Sequence, residues 1–211
     1  MKKLCVFGDS YSTKFELKDK WAEKYITWKG YIPKTYSSII SESMNIEVMN
    51  KAVVGKDNYS IFEQIWENAE NVQQDDIIII GWSDVLRFRL SSPSDSIWKT
   101  FIPNSRDNDF NSCNITKNTF NDILNNRTDK IYEFELSKIV NFVNFVFKTQ
   151  KIIHWRWDNV GRLKNYSTIL DETNGEIQDL HYSEKGHKDL SINLMECINS
   201  ENRVNNLCKF I

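Results

Sequence analysis

Hydrophobic positions along this chain alternate between short apolar runs and longer stretches at helical spacing. Lys3 to Phe7 is an apolar run ending in Gly-Asp-Ser, the pattern of a buried strand meeting a turn. Residues 11–33 carry many aromatics (Tyr11, Phe15, Trp21, Tyr25, Trp28 and Tyr31) and read as irregular. A helix is expected after Pro33, over Thr35 to Ser43, and a second strand over Ile46 to Val54, closed by Gly55. Ile61, Ile65, Ala69 and Val72 recur at helical spacing and predict an amphipathic helix over 59–72. Asp75-Asp76 then leads into Ile77 to Ile80 and Gly81. A β-branched run without polar alternation is the pattern of a strand covered on both faces.

The stretch from Ser91 to Arg127 is polar, Asn-rich and weakly patterned, and reads as loop with room for a short helix. Asp129 to Lys148 predicts a long helix whose buried side is marked by Ile131, Phe134, Ile139, Phe142, Val143, Val146 and Phe147. Lys151 to Trp157 reads as another strand, and a last helix runs from Ser183 to Ile198. Alternating strands and helices imply a parallel sheet with helices on both faces, an α/β fold. In such sheets ligands sit beyond the carboxyl ends of the strands. The 211 residues suit one domain over 1–211, with irregular insertions at about 11–33 and 91–127 and no Pro/Gly/Ser-rich linker.

Composition narrows the function classes. A formal net charge of -2 argues against general nucleic-acid binding, which needs clustered Lys and Arg. Six Lys between Lys14 and Lys34 are offset by Glu16, Asp19 and Glu23 and read as a solvated face. No apolar run approaches the roughly 20 residues of a spanning helix, so no membrane partner is expected. The opening Met-Lys-Lys-Leu-Cys-Val-Phe stops at Gly8, short of the about 7–15 residues of a signal-peptide core. Cys5, Cys113, Cys197 and Cys208 lack CxxC spacing and read as reduced thiols, with a cytoplasmic location expected and no zinc or other metal site.

Three clusters fall at strand ends. Gly8-Asp9-Ser10 follows the first strand, Gly55 the second, and Gly81-Trp82-Ser83-Asp84 the Ile run. Each alone suits ordinary turn chemistry, with Asp9 or Ser10 as a cap. A fourth cluster, Asp179-Leu180-His181 ahead of the last helix, changes the reading. A serine hydroxyl is a poor nucleophile unless an imidazole takes its proton, and that imidazole needs an acid on its other nitrogen. His187, inside the last helix, and His154, in a strand beside Trp155, read as packing residues.

These four blocks, in this order over roughly residues 3–195, resemble the SGNH/GDSL hydrolases. Four of the seven glycines (Gly8, Gly55, Gly81 and Gly186) lie in them. The Gly-Trp-Ser-x-x-x-Arg form ending at Arg87 is similar to a variant found in phage-encoded members of that superfamily. The resemblance implies a flavodoxin-like three-layer α/β/α sandwich and a serine esterase or acyl-transfer mechanism without cofactor. It implies Ser10 as nucleophile, His181 as base and Asp179 as orienting acid, with an oxyanion hole from Ser10, Gly55 and Ser83. Asp9, Asn58, Trp82 and Arg87 are the supporting candidates.

Two positions depart from the family pattern. Ser83 stands where an Asn side chain usually donates to the oxyanion, with Asn58 as a candidate substitute donor. The usual acid position, three residues before the histidine, is Gln178, and Asp179 is one residue closer. The expected substrate is a small-molecule or carbohydrate ester, an O-acetylated sugar if the aromatics after Ser10 are exposed for stacking. A catalytically weak or inactive binding module on the same scaffold is the alternative. A phosphate- or nucleotide-binding protein fits poorly, because neither GxGxxG nor GxxxxGK[ST] occurs and Asp9 would repel phosphate.

Overall fold

A five-stranded, all-parallel sheet carries the chain, in a computed structural model that describes residues 2–18, 20–84, 87–92, 97–101, 115–126, 129–157 and 166–207. Its strands are β1 (Lys3–Gly8), β2 (Glu47–Asn50), β3 (Ile77–Trp82), β6 (Lys151–Arg156) and β7 (Val204–Asn206), in the order β2-β1-β3-β6-β7. Counted within the sheet this is the doubly wound order 2-1-3-4-5, whose crevice opens at the carboxyl ends of the first and third strands. The helices are α1 (Lys20–Lys29), α2 (Tyr36–Met44), α3 (Asn58–Glu67), α4 (Lys117–Asn126), α5 (Asp129–Val146), α6 (Ile169–Glu172) and α7 (Glu184–Asn199). An antiparallel pair, β4 (Phe88–Ser92) and β5 (Ile97–Phe101), stands outside the main sheet.

The isoleucine run explains the layers. All of Ile77 to Ile80 are fully buried, and successive side chains point to opposite faces. Ile78 and Ile80 join Ile61 and Ile65 of α3 and Leu136, Val140 and Val143 of α5. Ile77 and Ile79 join Tyr36 and Ile40 of α2 and Leu190 and Leu194 of α7. Helices therefore cover both faces, as a sheet without polar alternation requires.

Several expectations need correction. The aromatic-rich stretch 11–33 is not wholly irregular: it holds α1, whose Ala22, Tyr25 and Ile26 pack with Phe15 and Ile169 in a small separate core. Exposed Trp28, on the same helix, obscures that spacing in the sequence. Strand β2 ends at Asn50, and Val53 and Val54 are exposed beyond it. The helix expected over 59–72 stops at Glu67 and gives way to a 3₁₀ turn at Ala69–Asn71. Within 91–127 lie the end of β4, all of β5 and helix α4. The remainder of that stretch, with Cys113, lies outside the described residues, as does Cys208.

The buried side of α5 also differs. Tyr132, Leu136, Val140, Val143 and Phe147 face the core, whereas Ile131, Phe134, Phe142 and Val146 are exposed. The helix is apolar around most of its girth, so hydrophobic periodicity does not choose between two stripes. Among the described residues, no helix is long and apolar enough to cross a membrane. Cys5 and Cys197 are free, and burial pushes the Cys5 thiol up to about 12.

Two histidines belong to the core. Trp82 Nε1 donates to His154 Nδ1 at 3.0 Å, and His154 Nε2 lies 2.9 Å from Asn144 Oδ1, so the ring is neutral with its proton on Nε2. His187 sits among the rings of Phe15, Tyr36 and Tyr182. Burial lowers both from 6.5 to about 3. The native fold keeps both neutral while an unfolded chain takes up protons below 6.5. Their contribution is complete above that pH and is lost as pH falls toward 3. Unfolding midpoints are therefore expected to fall between pH 6.5 and about 4, and His187→Phe to flatten the fall. Urea titrations across that range check it, and equal slopes for the two proteins would contradict it.

Candidate active site

Two turns meet at the carboxyl end of the sheet. The first follows β1. Gln64 of α3 clasps its start with both ends of its amide: Gly8 N–H donates to Gln64 Oε1 and Gln64 Nε2 donates to Gly8 O, each at 3.2 Å. Ser12 N–H then donates to Asp9 O at 3.0 Å, which closes the turn carrying Ser10. Asn50 at the end of β2 donates to Ser12 O at 2.8 Å and ties the turn to its neighbour strand. Gly8 and Gly81 are register partners, and a Cβ on either would lie within 2.5 Å of Ser12 Oγ. These two glycines make the room in which the turn packs.

The second turn precedes α7 and is pinned to the segment entering α6. Ile169 N–H donates to His181 O and Leu170 N–H to Asp179 O, both at 2.8 Å, and Ser183 N–H to Ser167 O at 2.9 Å. Ser183 caps α7 by accepting from Gly186 N–H.

Between these turns Ser10 Oγ lies 2.7 Å from His181 Nε2, and His181 Nδ1 lies 2.6 Å from Asp179 Oδ1. The same Asp179 oxygen accepts the His181 backbone N–H at 2.7 Å. One carboxylate thus holds both the ring and the main chain of its histidine, which is how the two-residue spacing reaches Nδ1. Gln178, at the family's usual acid position, instead donates to Gly175 O and is exposed. With Nδ1–H directed at Asp179, Nε2 keeps a lone pair toward the serine hydroxyl. Ser10 is mostly buried and His181 partly exposed.

The remaining candidates divide. Gly55 lies at the surface in an αL turn (φ 77°), alongside β1 because Val53 N–H donates to Gly8 O at 3.0 Å. Ser83 is fully buried, and its hydroxyl has no hydrogen-bond partner among the described residues. Asn58 does not stand free as a substitute donor. Its amide is committed to the Ser83 backbone, accepting from Ser83 N at 2.8 Å and donating to Ser83 O at 3.2 Å. Trp82 is directed into the core toward His154. Arg87 and Asp9 pair at 3.3 Å beside the serine turn.

Trp157, Asn50 and Gln64 also stand at this site and were not among the sequence candidates, and Tyr11 was named only as one of the aromatics after Ser10. Tyr11 stacks on Trp157 with centroids 4.3 Å apart and lies 4.7 Å from the His181 ring. Tyr11 directly follows Ser10, and Trp157 follows the end of β6, so both lie at the carboxyl ends of strands where ligands sit in such sheets.

No family model matches the chain, and no curated protein matches it. Among solved structures, the chain is similar to a protein described as a GDSL-like lipase from Parabacteroides merdae ATCC 43184. That match has 13% identity and a TM-score of 0.34, covering 94% of this chain and 75% of that one. It is also similar to the lipase Lip_vut3 from a goat rumen metagenome, with 12% identity and a TM-score of 0.34, covering 98% and 80%. Both likenesses are too distant to carry either lipase's activity to this chain.

Gly186 gives a test of how the second turn is held. A Cβ there would lie 2.2 Å from the Ser167 carbonyl oxygen, the acceptor for Ser183. Gly186→Ala is expected to destabilise the fold by about 1–3 kcal/mol through overpacking. Urea unfolding measures this, and wild-type stability would contradict the packing described.

Proposed function

We propose that this chain is a serine hydrolase of the ester-cleaving, acyl-transfer class, with Ser10 as nucleophile, His181 as general base and Asp179 as orienting acid. The observation that carries this reading is the hydrogen-bonded series Asp179–His181–Ser10, at 2.6 and 2.7 Å. Both distances lie within the reach proton transfer needs before substrate binds.

The mechanism follows from the tautomer. Ser10 Oγ attacks the ester carbonyl carbon while its proton passes to His181 Nε2. Asp179 holds Nδ1–H and stabilises the resulting imidazolium. The carbonyl oxygen becomes an oxyanion, for which the N–H groups of Ser10 and Gly55 and the Ser83 hydroxyl are the proposed donors. His181 then gives its proton to the leaving alkoxide, and the C–O bond breaks to leave an acyl-Ser10 ester. A water, or an acceptor sugar hydroxyl, loses its proton to Nε2 and attacks that ester, and the returning proton restores Ser10. The Ser83 hydroxyl, which has no hydrogen-bond partner among the described residues, supports its place among these donors.

For the substrate we propose an ester of a small molecule or carbohydrate. The aromatics after Ser10 support sugar stacking only in part. Tyr11, Phe15 and Tyr25 are buried, while Trp28 and Tyr31 are exposed.

Three predictions follow this mechanism. A fluorophosphonate probe should label wild-type protein and not Ser10→Ala. Asp179→Asn should retain the fold and lower kcat on p-nitrophenyl acetate by about 10⁴-fold, the loss expected when the imidazole takes the wrong tautomer. Labelling that persists in Ser10→Ala would remove Ser10 from its role, and an inert wild type would favour a binding module. Ser83→Ala should lower kcat by about 10²-fold with KM little changed, as for loss of one oxyanion donor. An unchanged kcat would exclude its hydroxyl from the oxyanion hole.

A further inference from the structure

The proton relay leaves one buried charge at the site unused. Asp9 is fully buried, and its carboxylate accepts from three N–H groups. Tyr11 N donates to Oδ1 at 3.1 Å, while Trp157 Nε1 and Arg87 Nη1 donate to Oδ2 at 2.9 and 3.3 Å. The donors are themselves linked. The Arg87 guanidinium stands 5.5 Å over the Trp157 ring, Trp157 stacks on Tyr11, and Tyr11 lies against His181. Tyr11 also donates its hydroxyl to Leu180 O, between Asp179 and His181, at 3.2 Å. The contacts form a closed circuit from Asp9 through Arg87, Trp157 and Tyr11 to His181, and back through Ser10.

We propose that Asp9 is a positioning residue, which with Arg87 and Trp157 fixes the Ser10 turn, braces His181 through Tyr11, and favours the imidazolium formed during attack. This rests on the reading of Ser10 as nucleophile. Three donors and no acceptor around the carboxylate match its ionised form. A negative charge near an imidazole favours the protonated ring, which is the state His181 reaches as Ser10 gives up its proton.

Stability does not account for this charge. Burial pushes the Asp9 carboxyl above its ordinary value, although Arg87, Trp157 and Tyr11 pull it down. An acid raised in the folded state stabilises the fold only when protonated. That stability is lost as pH rises through its folded value, so holding Asp9 as an anion works against folding. Such a group beside a reacting serine is better explained by chemistry than by packing. Facing it are Arg87 from the segment after β3, the Trp157 indole beyond β6, the Tyr11 backbone and phenol, the Tyr36 phenol of α2, and His181 ahead of α7. Arg87 carries the fixed positive charge among these groups.

The test is the pH profile of kcat/KM for p-nitrophenyl acetate with wild type, Asp9→Asn and Trp157→Phe. Folded Asp9→Asn is expected to lose about 10²-fold in kcat with KM little changed. Its acid limb should move to lower pH, because the charge that favours the imidazolium is gone. Trp157→Phe keeps the stack and removes one donor, so kcat should fall about tenfold with the acid limb unmoved. That variant decides the case if the Asp9→Asn amide, facing an N–H donor whichever way it turns, prevents folding. An unmoved acid limb in folded Asp9→Asn, or wild-type kcat in Trp157→Phe, overturns the proposal. Failure of the Ser10 reading looks different: wild type itself is then inert toward both the ester and the fluorophosphonate probe.

Discussion

A single hydrogen bond between side chains 171 positions apart, Ser10 Oγ to His181 Nε2, sets the demands on this fold. Neither partner is held by its neighbours in sequence alone. The serine turn is fixed by the Gly8–Gln64 clasp and by Asn50 reaching across from β2. The histidine turn is fixed by backbone bonds to the segment entering α6. What brings the two together is the parallel sheet, which sets β1 beside the central β3, and helix α7, which packs on one face of that sheet.

Polarity is segregated along the strands to match. From Leu4 to Phe7 and from Ile77 to Ile80 the bodies of β1 and β3 are apolar on both faces, and each Ile of β3 is buried without polar relief. Past Gly8 and Gly81 the buried groups turn polar (Asp9, Ser10, Ser12 and Ser83), and most of the cross-links there are N–H donors meeting carbonyls or carboxylates. A buried polar group without partners is expensive, so such a cluster persists only where its bonds are made or where a ligand supplies the missing one. The Ser12 and Ser83 hydroxyls, buried and without a hydrogen-bond partner among the described residues, are the exceptions in this cluster.

The sheet was legible in the sequence because its signals are local. The Ile77–Ile80 run, the Gly8 stop and the spacing of Ile61 and Ile65 each report their own environment. Ser10, Asp179 and His181 could be singled out because turns at strand ends are few and only one histidine has a carboxylate two residues before it. Other features depend on contacts that no local pattern encodes. The core stripe of α5 is one, since Phe134 and Phe142 are as apolar as the Leu136 and Val143 that face inward. Asn58 is another: its amide is spent on the Ser83 backbone, which only the packing of α3 against β3 reveals. Trp157 and Tyr11 read as ordinary aromatics until Asp9 and His181 stand beside them. The short α6 and β7 are too brief to carry a period.

The account stands on a covalent intermediate at Ser10. The most direct measurement is to mix the protein with p-nitrophenyl acetate, quench in acid within the first turnover, and map the modified peptide by mass spectrometry. One acetyl group on the peptide that contains Ser10, absent when His181 is replaced by alanine, is the predicted result. An unmodified Ser10 during turnover, or an acetyl group on another side chain, would contradict it.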